Sequence, residues 1–120
     1  MKKTFLFFAL ITVSLFSTFI VKAQNVKSYK TFEQAQQNMA ELELELSQVQ
    51  FNIISKNYET YYKDFLSLTS SPLSGDKVKI SIVSIKPENK RIIKRLLIAS
   101  EVKEIQFSDK KATIDEYFGI

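Results

Sequence analysis

The stretch Glu41-Leu42-Glu43-Leu44-Glu45-Leu46-Ser47-Gln48-Val49-Gln50-Phe51-Asn52-Ile53 decides how this chain is read, because it fits two periods at once. Leucine alternates with glutamate from 41 to 46, and Val49, Phe51 and Ile53 alternate again, as in a strand with one irregularity. The same residues also belong to a longer series: Phe32, Ala35, Met39, Leu42, Leu46, Val49 and Ile53, in steps of three and four. That series is the apolar seam of an amphipathic helix or a short coiled coil. Glu, Leu and Gln are strong helix formers, and the three-four series starts earlier and runs longer, so helix is predicted.

The flanks extend that helix. Thr31 can cap it, with Gln34 at the spacing of a capping box. Beyond Ile53 the apolar series continues through Ile54, Tyr58, Tyr61, Phe65 and Leu68, displaced by one position. A kink is expected at Ser55-Lys56-Asn57, within a helix over residues 31–69. Ser67 to Gly75 is rich in serine and carries Pro72, which marks a linker over 70–76.

Residues 77–120 read as a β-α-β-β unit. Val78, Ile80 and Ile82 alternate with Lys77, Lys79 and Ser81, which predicts a half-buried strand over 78–85. Val83 and Ile85 switch parity, so that strand bends or ends there. Pro87 suits the first turn of a helix running to Ala99. Ile92, Ile93, Leu96 and Leu97 share one side of it and Lys90, Arg91, Lys94 and Arg95 the other; Ile98 alone falls off the pattern. Strands over 102–107 and 111–117 follow, joined by a Ser108-Asp109-Lys110 turn.

The N-terminus has the pattern of an export signal. Lys2 and Lys3 precede an apolar run from Phe5 to Val21, and cleavage is expected between Ala23 and Gln24. The protein is therefore expected in the periplasm or outside the cell, with 24–30 as a flexible leader; retention as an N-terminal anchor is the weaker alternative. Loss of Lys2, Lys3 and Lys22 leaves fourteen Lys and Arg against thirteen acids, a net of +1 rather than +4. That balance gives no reason to expect nucleic acid as a partner. Residues 24–70 sum to −2 and 71–120 to +3, a tilt toward mutual docking.

The chain contains no Cys, His or Trp, so disulfides, thiol redox chemistry and His-based or Cys-based nucleophilic catalysis are excluded. Its two glycines, Gly75 and Gly119, form no phosphate loop. Glu41, Glu43 and Glu45 would share a face only as a strand, and even then a solvated acidic face is the simpler reading. Asp115-Glu116 is a carboxylate pair with no mark of a perturbed environment. Tyr58, Tyr61 and Tyr62 fit a packing row better than a stacking platform. Lys86, Lys90, Arg91, Lys94 and Arg95 form the densest basic row, suited to lipid phosphate or an acidic polymer, or simply to water.

The order strand, helix, strand, strand over 78–117 resembles the first two-thirds of a heavy-metal-associated domain, a ferredoxin-like module of copper chaperones and metal-pumping ATPases. The resemblance rests on Ile92 and Leu96, on Val102, Ile105 and Phe107, and on Lys111 to Ile114. It implies the fold only. The family's metal-binding cysteines fall near Ile85 and Glu88, which cannot hold a soft metal. Glu101 stands where the family has glycine.

The expected architecture is thus α+β: a long amphipathic helix packed on a small ferredoxin-like half-sheet, with Tyr58, Tyr61, Phe65 and Leu68 covering the sheet. The remaining seam, centred on Met39, Leu42, Leu46 and Val49, would bind another exported protein or a second copy. A non-enzymatic interaction module without cofactors, not spanning the membrane once processed, is the leading expectation. The alternative is a ligand-binding or carrier module without soft-metal binding.

Overall fold

The computed structural model describes residues 26–119; the expected cut between Ala23 and Gln24 lies outside the described residues. In chain order the elements are β1 (Val26–Lys27), α1 (Phe32–Gln37), β2 (Glu41–Ser47) and α2 (Gln48–Asn57), the last extended by a π-helical turn (Tyr58–Tyr62). Next come β3 (Leu66–Pro72), β4 (Lys77–Ser84) and a 3-10 turn (Pro87–Asn89) that leads into α3 (Lys90–Ala99). The chain closes with β5 (Glu104–Gln106), β6 (Lys111–Thr113) and α4 (Ile114–Phe118).

The fold is α+β, with one six-stranded mixed sheet in the order β3-β4-β2-β1-β5-β6. Neighbours are antiparallel except β1 and β5, which are parallel. The helix expected over 31–69 does not form. The alternation of residues 41–47 prevails over their helix propensity, because β4 pairs with β2 at every position from Glu41↔Val83 to Ser47↔Lys77. Leu42, Leu44 and Leu46 are all buried on one face. On a helix their spacing of two would spread them over about 200°.

Three other boundaries move for the same reason. Residues 26–27 of the expected leader form β1, wedged between β2 and β5, and Val26 and Ser28 are buried. The expected linker begins inside β3, which runs to Pro72; residues 73–76 are the hairpin turn to β4, closed by Leu73 N–H donating to the Lys77 carbonyl. Gly75 there has φ +70, which glycine adopts without cost. Finally, 77–120 is not a half-sheet of its own, since β2 and β1 stand between β4 and the β5–β6 hairpin.

The local signals of the C-terminal half hold better. Pro87 opens the turn into α3, and α3 buries Ile93, Leu96 and Leu97 while Lys90, Arg91 and Arg95 face water. The helix ends in a Schellman motif, with Val102 N–H donating to Leu97 O and Glu101 N–H to Ile98 O. Its left-handed residue is Glu101, at φ +62, where such a motif favours glycine. The strand expected over 111–117 is only β6, followed by α4, whose Thr113 and Glu116 form a capping box and whose end is a left-handed Gly119.

Leu42, Leu44, Leu46, Val78, Ile80 and Ile82 form one apolar face of the sheet, and the core they share with α2, α3 and α4 includes Ile54, Leu96, Leu97, Tyr117 and Phe118. At the β5 end, Phe32, Phe107, Tyr117 and Phe118 make an aromatic cluster with centroids 4.7 to 6.3 Å apart. Tyr117 Oη donates to the Ala35 carbonyl at 2.9 Å, tying α4 to α1. Burial pushes its pKa up to about 12.

Buried Gln50 and half-buried Asn57 join α2 to the end of α3. Gln50 Nε2 donates to the Ser100 carbonyl at 2.7 Å, and Asn57 Nδ2 reaches Ala99 O and Ser100 Oγ. These bonds satisfy carbonyls that the helix end leaves without intrahelical partners.

Candidate functional site

The second face of the sheet is polar. One residue from each strand stands in a single register row: Ser71, Lys79, Glu45, Lys27, Gln106 and Lys111. Charges alternate along its middle. Lys79 and Lys30 both pair with Glu43, at 3.2 and 3.7 Å, and Tyr29 Oη donates to Glu45 at 2.7 Å. That hydrogen bond, with burial and the charge of Glu45 adding to it, raises the Tyr29 pKa. Of the three glutamates, Glu43 is thus paired with two lysines, Glu45 accepts from Tyr29 and Glu41 accepts from Asn38 Nδ2 at 3.4 Å, so each has a partner. Among the described residues no group of three acids is placed to hold a metal ion.

The two edges of the sheet are built differently. The β6 edge is three residues long and starts with Lys111 beside Lys110. Short length and lysine protect such an edge against pairing with another chain. The β3 edge is seven residues long, Leu66-Ser67-Leu68-Thr69-Ser70-Ser71-Pro72, with no charged residue. Its ladder with β4 is continuous from Leu66↔Ser84 to Pro72↔Val78.

Which β3 groups point outward follows from that ladder. Leu73 N–H bonds Lys77 O at one end and Ile85 N–H bonds Phe65 O at the other, so the odd-numbered residues of β3 face β4. The N–H and C=O groups of Leu68 and Ser70 therefore face away from the sheet. The window they form is bounded on both sides. Tyr58 Oη donates to the Leu66 carbonyl at 3.1 Å, and Pro72 has no N–H to offer.

Apolar side chains stand beside this window. Phe65 (44% exposed) leads into β3, Tyr61 (68%) lies on the turn before it, and Val83 pairs with Ser67. Ile85, also exposed, follows β4. This corrects the expected lid: Tyr58 and Leu68 pack on the core, but Tyr61 and Phe65 do not cover the sheet. Their expected row needs a helix through residue 68, whereas the helical segment ends at Tyr62 and Phe65 lies where the chain turns into β3.

The partner seam also dissolves as a unit. Leu42 and Leu46 are core residues, 2% and 1% exposed, on β2. Met39 is half-buried in the turn before β2, and Val49 is exposed on α2. No single helical face carries all four, and a lysine at 42 or 46 would test folding rather than binding. Asp115 and Glu116 sit in the first turn of α4, where Asp115 pairs with Lys94 at 3.1 Å, Glu116 N–H donates to the N-cap hydroxyl of Thr113, and the Glu116 carboxylate accepts from Thr113 N–H. The capping-box spacing Thr113 to Glu116, followed by Gly119, was the signal that could have placed α4 in advance. The β3 edge had no comparable signal, because nothing in Leu66–Pro72 says which neighbour it lacks.

Among the described residues no helix is long and apolar enough to cross a membrane. No protein-family model, curated protein or solved structure matches the chain.

Proposed function

We propose that this chain is an exported, non-enzymatic module that binds another protein by accepting an extended segment along β3. The outward window at Leu68 and Ser70 carries this reading, since a donated strand gains its affinity from main-chain hydrogen bonds of that kind. A partner segment would bond both residues and present apolar side chains toward Phe65 and Val83. Uncharged residues are favoured in it, because β3 offers no ion-pair partner. Export rests on the N-terminal signal pattern, and the non-enzymatic assignment on the residue types the chain lacks.

Ser70→Pro is the discriminating variant. It deletes an outward N–H and leaves the β3–β4 ladder whole, as proline on the free side of an edge strand does. Wild-type and Ser70→Pro baits would be exposed to the envelope fraction of the source cell, with amide exchange read at Leu68 and Ser70. A partner that slows exchange at those two amides and is lost with Ser70→Pro supports the proposal. Equal capture by both baits, or unchanged exchange on binding, removes the edge from consideration.

A further inference from the structure

A different face of the molecule, unconnected with the β3 edge, carries a second kind of surface. On α3, successive residues advance by 100°, which places Lys90, Lys94, Ile98, Arg91 and Arg95, in that angular order, within about 140° of one another. Ile98 falls between the two pairs in this projection, lies one turn beyond them at the C-terminal end of α3, and is 53% exposed. Arg91, Lys94, Arg95 and Ile98 line one shallow depression. Past Ile98 it continues into a cleft floored by Val102 and Ile114, with Lys103 on its rim. The cleft also carries acids, Glu101 and Asp115, and Asp115 is the ion-pair partner of Lys94.

Ion pairing differs from place to place among the cations, on the sheet as on α3: Lys27, Lys77 and Lys111 have no ion-pair partner among the described residues, and Lys94 has Asp115. Lys30 and Lys79 are neutralised by Glu43, whereas Lys86, Lys90, Arg91 and Arg95 form no ion pair among the described residues. The opposite side of α3 is locked into the core by Ile93, Leu96 and Leu97, so the face is presented rigidly and nothing needs to refold for it to dock.

We infer that this face of α3 rests on an anionic phospholipid surface, with Lys90, Arg91 and Arg95 at the phosphates and Ile98 reaching below them. The isoleucine decides between occupants. An acidic polymer would use the cations and gain nothing from an apolar residue among them, whereas the headgroup boundary accommodates both. Each Lys or Arg near such a surface contributes on the order of fivefold in partitioning, so the three unpaired cations of this face, Lys90, Arg91 and Arg95, give weak, reversible, salt-sensitive attachment.

Because the chain has no cysteine, Ile98→Cys introduces a unique thiol for an environment-sensitive apolar fluorophore in the full-length protein. Labelling Val49→Cys, exposed on α2, gives the control position. Vesicles of phosphatidylglycerol and phosphatidylcholine should shift the label at 98 to the blue and leave the label at 49 unchanged; phosphatidylcholine alone should shift neither. Arg91→Glu with Arg95→Glu should raise the vesicle concentration for half-maximal shift at least ~25-fold, from two cations at about fivefold each. On the unreversed protein, 0.5 M salt (an amount of about three times physiological ionic strength) should release the contact. No shift at 98, an equal shift at 49, an equal shift with neutral vesicles, or an equal shift with soluble polyphosphate would each overturn the inference, the last in favour of an acidic polymer.

Discussion

The two faces of the β2–β4 pair share one backbone and one alternation, yet they do different work. One face presents Leu42, Leu44, Leu46, Val78, Ile80 and Ile82, all buried. The other presents Glu41, Glu43, Glu45, Lys77, Lys79 and Ser81, none of them buried. Burial of apolar area stabilises by roughly 25 cal/mol per Å², whereas an exposed ion pair contributes about 0 to 1 kcal/mol. The covered face therefore supplies the stability, and the open face adds little to it.

The largest effect is expected from Leu44→Ala. It removes a fully buried side chain beneath the helices and should cost about 2–5 kcal/mol in denaturant unfolding. A loss below about 1 kcal/mol would mean that the covered face is not the main source of stability. Gln50→Ala probes a polar group on the same side. It strips the buried Ser100 carbonyl of its 2.7 Å donor and should cost roughly 1–3 kcal/mol.

Tyr117, in the core, offers a pH test. The Tyr117 hydroxyl, buried against Ala35, has its folded pKa raised from 10.0 to about 12. The folded state therefore holds that proton more tightly than the unfolded chain does. Its contribution to stability is complete below pH 10 and is lost as pH rises through about 12. Tyr117→Phe should flatten that part of the stability profile. An unchanged slope would assign the loss to other groups.

Glu101→Gly sharpens the contrast from an exposed position. Here the backbone at φ +62 matters rather than side-chain burial, and glycine should stabilise by about 1 kcal/mol. Smallest of all should be Glu43→Gln on the open face. Although it breaks contacts to both Lys30 and Lys79, the expected cost is below about 1 kcal/mol and shrinks further with added salt. A cost near that of Leu44→Ala would collapse the distinction between the faces.

Much of the local structure was legible in the residues. Thr31 and Gln34 form the capping box their spacing indicated, Pro87 opens the turn into α3, and the parity switch at Val83 and Ile85 marks where β4 ends. Ile98, the residue off the α3 pattern, is exposed because it points away from the core. Less was legible of the site. The basic row on α3 could be read directly, but the β3 edge could not, since an edge is defined by an absent neighbour. Two-residue β1 left no periodic trace, although Val26 and Ser28 are buried between β2 and β5.

Alternation, caps and breakers are properties of neighbouring residues, so the chain alone determined the α+β class, strand β4, helix α3 and the β5–β6 hairpin. Tertiary structure alone decided that residues 41–47 are a strand at the centre of the sheet. Helix propensity differs among Glu, Leu and Gln by only tenths of a kcal/mol per residue. Seven paired positions on β4, and three leucines buried together, outweigh that preference, and both depend on segments far away in sequence.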